Sequence, residues 1–142
     1  MKTLIRKKFY LPMALLLSGL VCLSFVYAQE KPKPWSVPDA SKNVKNPTKA
    51  DKESLETAKA LYDKHCKSCH GAKGLGDGTK AKTLETSCGD FSKSTFQAQT
   101  DGEIFYKTKE GRDDMPAYKK KIQDDNDLWL LVNYLRTLKG GK

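Results

Sequence analysis

Cys66-Lys67-Ser68-Cys69-His70 decides how this chain is read. Two cysteines separated by two residues, with a histidine directly after the second, form the pattern of a c-type haem attachment site. The spacing has a chemical reason. Each sulfur can bond one vinyl-derived carbon of the haem, and the short gap sets both sulfurs along one edge of the macrocycle. His70 then lies under the iron and ligates it from the proximal side. Cys-x-x-Cys alone is shared with redox dithiols and half zinc sites, so the histidine and the surrounding chain are what narrow the reading.

The chain has 142 residues, room for one small domain with appendages. Residues 1–28 have the layout of a secretory signal. Lys2, Arg6, Lys7 and Lys8 make a basic start, Leu11 to Val26 is a mainly apolar run, and Val26-Tyr27-Ala28 ends in a small residue before Gln29. Cleavage is expected after Ala28. The alternative is an uncleaved anchor, since Phe9 to Ala28 is about long enough to span a bilayer. Val21 is too bulky to precede a lipidated Cys22. Covalent haem attachment needs a compartment outside the cytoplasm, so the expected location is periplasmic or otherwise extracytoplasmic, membrane-anchored if the leader stays.

The formal charge of +9 overstates the basicity of the mature chain. Residues 29–142 hold 22 basic and 17 acidic side chains, a net +5, and residues 51–142 hold 17 and 15, a net +2. Two haem propionates would bring the domain near neutrality. No basic face with groove-reading or aromatic elements is visible, so a nucleic-acid role is excluded. The four cysteines likewise do not spell two disulfides. Cys22 lies in the leader, and Cys66 and Cys69 are taken by thioethers. Cys88 is then alone: a small, partly buried apolar side chain, half of an intermolecular disulfide, or a modifiable thiol.

Residues 29–50 contain Pro32, Pro34, Pro38 and Pro47 and read as an extended arm without regular structure, with Trp35 expected to dock on the domain. Residues 51–142 form the domain. Asp51 suits an N-cap, and Leu55, Ala58, Leu61 and Tyr62 recur at helical spacing up to the cysteines. Gly71, Gly74, Gly76 and Gly78 predict a tight loop, and a short helical turn is expected around Ser92 to Gln97. Thr100 and Glu103 form a capping-box pair, which sets a helix from Asp101 to about Glu110 with Gly111 past its end. The last helix is capped by Asp124 or Asp125, carries Leu128, Leu131, Val132, Leu135 and Leu138 as a stripe, and stops at Gly140 and Gly141. No strand alternation appears. The fold class is all-α, with a core thin enough that a buried haem would supply missing apolar surface.

Without the leader the chain holds one methionine, Met115, and one histidine besides His70, which is His65. His65 sits beside Cys66 on the thioether edge and cannot reach the far face of the iron; it reads as a surface residue closing the first helix. Met115 lies 45 residues after His70 and is followed by Pro116, which restricts the backbone that presents the thioether. A lone methionine is usually core filler, but Arg112-Asp113-Asp114 and Pro116 are too polar for a core segment, so Met115 reads as the distal ligand. Histidine and methionine together fill both axial sites and favour the ferrous state, which suits electron exchange over substrate binding.

Cys66–His70, the following Gly71-Ala72-Lys73-Gly74-Leu75-Gly76-Asp77-Gly78, and Met115-Pro116 resemble class I c-type cytochromes over roughly residues 51–140. The resemblance implies a small cytochrome c fold, a few helices around one covalently bound haem c. Its crossed first and last helices would meet at Ala58, Tyr62, Leu131 and Tyr134. It implies Cys66 and Cys69 as thioether residues, His70 and Met115 as iron ligands, and the glycine loop as haem-adjacent backbone. Arg112 is either a propionate contact or a solvated side chain.

The function expected is a one-electron carrier in a respiratory or other redox chain, not an enzyme. Its partners would be proteins such as a membrane oxidase, reductase or dehydrogenase. Lys64, Lys67 and Lys73 would help orient an acidic partner at the haem edge. One alternative is a haem enzyme or gas sensor with a displaceable Met115, for which no spare distal histidine is present. The other is a zinc module using Cys66, Cys69, Cys88 and a histidine.

Overall fold

The computed structural model describes residues 34–141. The leader and the first residues of the proline-rich arm lie outside them. Ser36–Lys142 make one compact unit, and Pro34 and Trp35 fall outside it.

Six α-helices occur among the described residues: α1 (Asp39–Lys42), α2 (Lys52–His65), α3 (Lys67–His70), α4 (Ser94–Gln97), α5 (Asp101–Glu110) and α6 (Asp125–Thr137). Single 3-10 turns occupy Ala81–Thr83 and Tyr118–Lys120. No strand is present among them, only an isolated antiparallel bridge between Arg112 and Met115. The all-α expectation holds.

Each long helix begins where a side chain satisfies its open N–H groups. Asp51 accepts from the Ser54 amide at 2.9 Å, and Asp124 from the Asn126 amide at 2.8 Å. At α5 the capping box is complete. Thr100 Oγ1 accepts from the Glu103 amide at 3.1 Å, and the Glu103 carboxylate accepts from the Thr100 amide at 2.7 Å. The same Thr100 hydroxyl donates to the Lys42 carbonyl at 2.8 Å. Thr100→Ala removes both contacts and is expected to lower stability by about 1.5 kcal/mol, read from the midpoint of denaturant unfolding.

The principal packing is α2 against α6. Ala58 and Tyr62 on α2 and Leu128, Leu131 and Val132 on α6 are all essentially inaccessible to solvent. The Tyr62 and Tyr134 rings meet with centroids 5.1 Å apart. Ala58 is the small, fully buried residue on this face of α2, among larger buried side chains. Around this pair lie Phe91, Ile104, Tyr118, Ile122, Trp129, Leu135 and Leu138, which complete one apolar cluster. The Phe105 ring stacks on Trp129 at 3.9 Å and joins α5 to α6.

The stretch before α2 differs from the expected extended arm. Asp39–Lys42 form a helical turn, Val37 is buried, and the segment packs on α5. Gly102 at the start of α5 permits this, since a Cβ there would stand 2.9 Å from the Val44 carbonyl and 3.2 Å from that of Lys42. Further along, Asn46 Nδ2 donates to the Trp129 carbonyl at 3.2 Å and to Asn133 Oδ1 at 2.9 Å, and Asn133 donates back to Thr48 Oγ1 at 3.0 Å. Residues 36–50 are thus a strap over α5 and α6. It is held by amide side chains, not by an apolar stripe.

Candidate haem site

Cys66 falls where α2 ends, and its φ of −115° offsets α3 from the helix before it. The Tyr118 hydroxyl donates to the His65 carbonyl at 2.5 Å and fixes that junction. Cys66 and Cys69 are unpaired and half-buried. Burial, with Cys69 beside it, pushes the Cys66 thiol up to about 12. Both sulfurs are therefore available for thioether bonds and not consumed by a disulfide.

The His70 ring lies against Phe91, stacked at 4.5 Å and 28°. Its Nδ1 is buried with no hydrogen-bond partner. Burial holds the imidazole below its usual pKa; the Cys88 backbone opposes part of that shift without closing a full hydrogen bond on Nδ1. A neutral imidazole is the form that offers iron a lone pair. A half-buried, neutral ring with a buried, unsatisfied nitrogen beside two unpaired sulfurs suits the donor set that haem c requires, so the residues present fit the group. Among the described residues no three His, Cys, Asp or Glu side chains converge as a metal-binding group. Cys66, Cys69, Cys88 and a histidine therefore do not form the set a structural zinc would need.

The glycine loop acts as the C-terminal cap of the motif. Gly71, at φ +80°, ends α3. The amides of Gly76, Gly78 and Lys80 then turn back onto the carbonyls of His70 (2.9 Å), Cys69 (3.1 Å) and Ser68 (2.8 Å). Gly74 lets the loop pass between Phe91 and Leu138, where a Cβ would come within 2.9 Å of both side chains. Tyr62 Oη donates to the Gly71 carbonyl at 2.7 Å and ties the loop to α2. The loop is haem-motif backbone, as the resemblance implies.

Met115 sits on a hairpin. Its amide donates to the Arg112 carbonyl at 2.9 Å, and its carbonyl accepts from the Arg112 amide at 2.8 Å. Asp113 adopts φ +50° to make the turn, and Gly111 packs against the backbone of residues 115–117. Met115 is half-buried against the same apolar cluster that contains Phe91, the partner of His70. Cys66 packs on that cluster too. Cys66, His70 and Met115 therefore border one core.

Other expected residues are placed more modestly. Arg112 pairs with Asp113 at 3.1 Å. His65 is half-buried, not a plain surface residue, with its ring edge-on to Tyr118 at 6.0 Å. Cys88 is half-buried and unpaired, with burial raising its thiol pKa. Lys67 pairs with Asp63 at 3.5 Å, while Lys64 and Lys73 are exposed. Phe91, Tyr118 and Thr86 escaped the sequence reading, because each acts through a long-range contact that leaves no local pattern.

Residues 53–135, which span the cysteines, His70 and Met115, match the family model described as cytochrome c oxidase, cbb3-type, subunit III. The chain belongs to this family. It is a c-type cytochrome, a haem-binding electron-transfer protein. Its haem is haem c, which the two free sulfurs and neutral His70 suit. Among solved structures it is similar to the c-type cytochrome KustC0563, with 28% identity and a TM-score of 0.51 over 58% of this chain and 96% of that one. It is also similar in fold to a chain of the Kuenenia stuttgartiensis reducing HAO-like protein complex Kustc0457/Kustc0458, with 24% identity, a TM-score of 0.61 and 78% of this cytochrome covered. This cytochrome spans about half, 52%, of the length of that chain. No curated protein matches it.

Proposed function

We propose that this cytochrome is an exported one-electron carrier whose haem iron is held between His70 and Met115. The observation that carries the reading is the placement of Met115. A hairpin closed by two backbone hydrogen bonds seats its side chain on the apolar cluster against which His70 stacks. The haem, when bound, would supply an iron that takes one electron from a reduced partner and passes it to an oxidised one.

The chain's own residues do the rest. Cys66 and Cys69 anchor the macrocycle, and Phe91 and the Cys88 backbone hold the His70 ring in a dry setting. The Tyr118 hydroxyl and the glycine loop fix the motif from both ends. With His70 and Met115 both holding the iron, no position would be left for a substrate, which suits a carrier over an enzyme. The leader-like residues 1–28 support a periplasmic or otherwise extracytoplasmic site, with the leader cleaved or kept as an anchor. Partners of this carrier are redox proteins such as a membrane oxidase, reductase or dehydrogenase. The family description, which names an oxidase subunit, supports the first of these.

Carbon monoxide added to the reduced protein tests the closed site. The spectrum is expected to stay unchanged. A prompt shift to a carbon monoxide adduct would instead mark an open position, as in a haem enzyme or gas sensor.

A further inference from the structure

The Met115 hairpin is braced at its two ends by the fold. On one side Gly111 continues from α5 through its amide bond to the Lys107 carbonyl at 3.0 Å. On the other, Tyr118 is buried and its hydroxyl reaches the His65 carbonyl at 2.5 Å. The tip carries a different contact. The Asp114 carboxylate accepts a hydrogen bond from the Thr86 backbone amide at 2.8 Å, across 28 residues of sequence.

Thr86 belongs to the segment that runs along the His70 side of the site. Two residues on, the Cys88 backbone borders the His70 ring. Next to it, the Gly89 backbone packs so closely on Gly76 that a Cβ there would have no room. Gly76 in turn donates its amide to the His70 carbonyl at 2.9 Å. Asp114 therefore ties the turn bearing Met115 to the segment packed against His70.

We propose that Asp114 is a positioning residue for the thioether ligand, a latch that holds the Met115 hairpin closed over the iron through the Thr86 amide. The inference rests on the His70 and Met115 reading above. A carboxylate bond to a backbone amide is charge-assisted, and with Asp114 exposed its loss is expected to shift the closed-to-released balance of the hairpin by about tenfold at most. Released hairpins expose the iron, so an added ligand competes better with Met115.

Imidazole titration of the oxidised holoprotein, followed by its visible spectrum, reads that balance. Asp114→Ala is expected to bind imidazole about tenfold more tightly than the native protein. Asp114→Asn keeps an acceptor oxygen but loses the charge assistance, and is expected to bind imidazole about threefold more tightly than native, between native and Asp114→Ala. An effect confined to overall stability would move the unfolding midpoint of Asp114→Ala and leave its imidazole affinity at the native value. That result overturns the proposal, as does Asp114→Asn behaving like Asp114→Ala. Met115→Ala, measured alongside, separates the two readings. If it binds imidazole far more tightly than native while Asp114→Ala does not, the latch alone is wrong. If Met115→Ala binds no more tightly than native, the ligand assignment itself falls, and the latch with it.

Discussion

Replacing Cys66 and Cys69 together by alanine is expected to abolish covalent haem attachment. The exported variant is expected to lose any residual colour on extraction with acidified organic solvent, and its denatured mass to match the bare polypeptide. The native protein keeps its colour through the same extraction and carries the added mass of haem. The reason is direct: each thioether needs a sulfur. Both sulfurs are unpaired in the fold, and Cys66 lies at the helix junction that Tyr118 fixes. The structural effect is expected to be as large as the chemical one. The largest fully buried side chains are Tyr62, Leu128, Leu131 and Val132, all from α2 and α6. A domain this small is expected to gain stability from a group that it buries. Far-ultraviolet circular dichroism of the double variant should show reduced helix content and a broadened thermal transition. A double variant that retains haem through denaturation would show that the sulfurs are not the attachment points.

Met115→Ala is the second large effect. On the proposed ligation, losing the thioether removes the soft ligand that favours ferrous iron, and the reduction potential should fall by a sizeable fraction of the roughly 0.8 V range that axial ligands command. The reduced variant should also bind carbon monoxide readily. Packing is lost as well, because Met115 is half-buried on the core cluster, and the stability cost is about 1–2 kcal/mol, below that of a fully buried methionine. Met115→Leu separates the two causes. It nearly conserves volume and so restores most of the stability, but it supplies no sulfur. Its potential and carbon monoxide binding should match those of the alanine variant. A leucine variant with native potential would mean that Met115 only fills space.

The parts of this fold that could be read from the chain are those encoded by neighbours in sequence. Asp51, Thr100 with Glu103, and Asp124 lie within a turn of the amides they cap, and each helix starts where its cap predicts. Ala58, Tyr62, Leu131 and Tyr134 were placed through the family resemblance, and they meet as expected. The strap over residues 36–50 was not legible. Its hold comes from Asn46 and Asn133 bonding across more than 80 residues, and from a glycine that matters only because another segment crosses it. Four prolines suggested an extended arm, and nothing in their spacing announces the helical turn at Asp39–Lys42 or its packing on α5.

The site divides in the same way. Cys66, Cys69 and His70 are contiguous, so their chemistry is visible in the sequence. Met115 was found by removing other candidates and by its polar flanks. What holds these residues was hidden: the stack of Phe91 on His70, the Tyr118 hydroxyl on His65, and the Asp114 bond to Thr86. Each joins segments more than 20 residues apart, and each partner is an ordinary residue in its local context. His65 looked like a surface residue because only its own helix was considered; the turn at Tyr118 half-covers it.

Iron-edge X-ray absorption on the native holoprotein and on Met115→Ala tests the central claim most directly. The account predicts a sulfur among the iron neighbours of the native protein, beside the nitrogens of the macrocycle and of His70, and its disappearance in the variant. A native spectrum with nitrogen neighbours alone, or a sulfur that persists in Met115→Ala and so belongs to another residue such as Cys88, would contradict it.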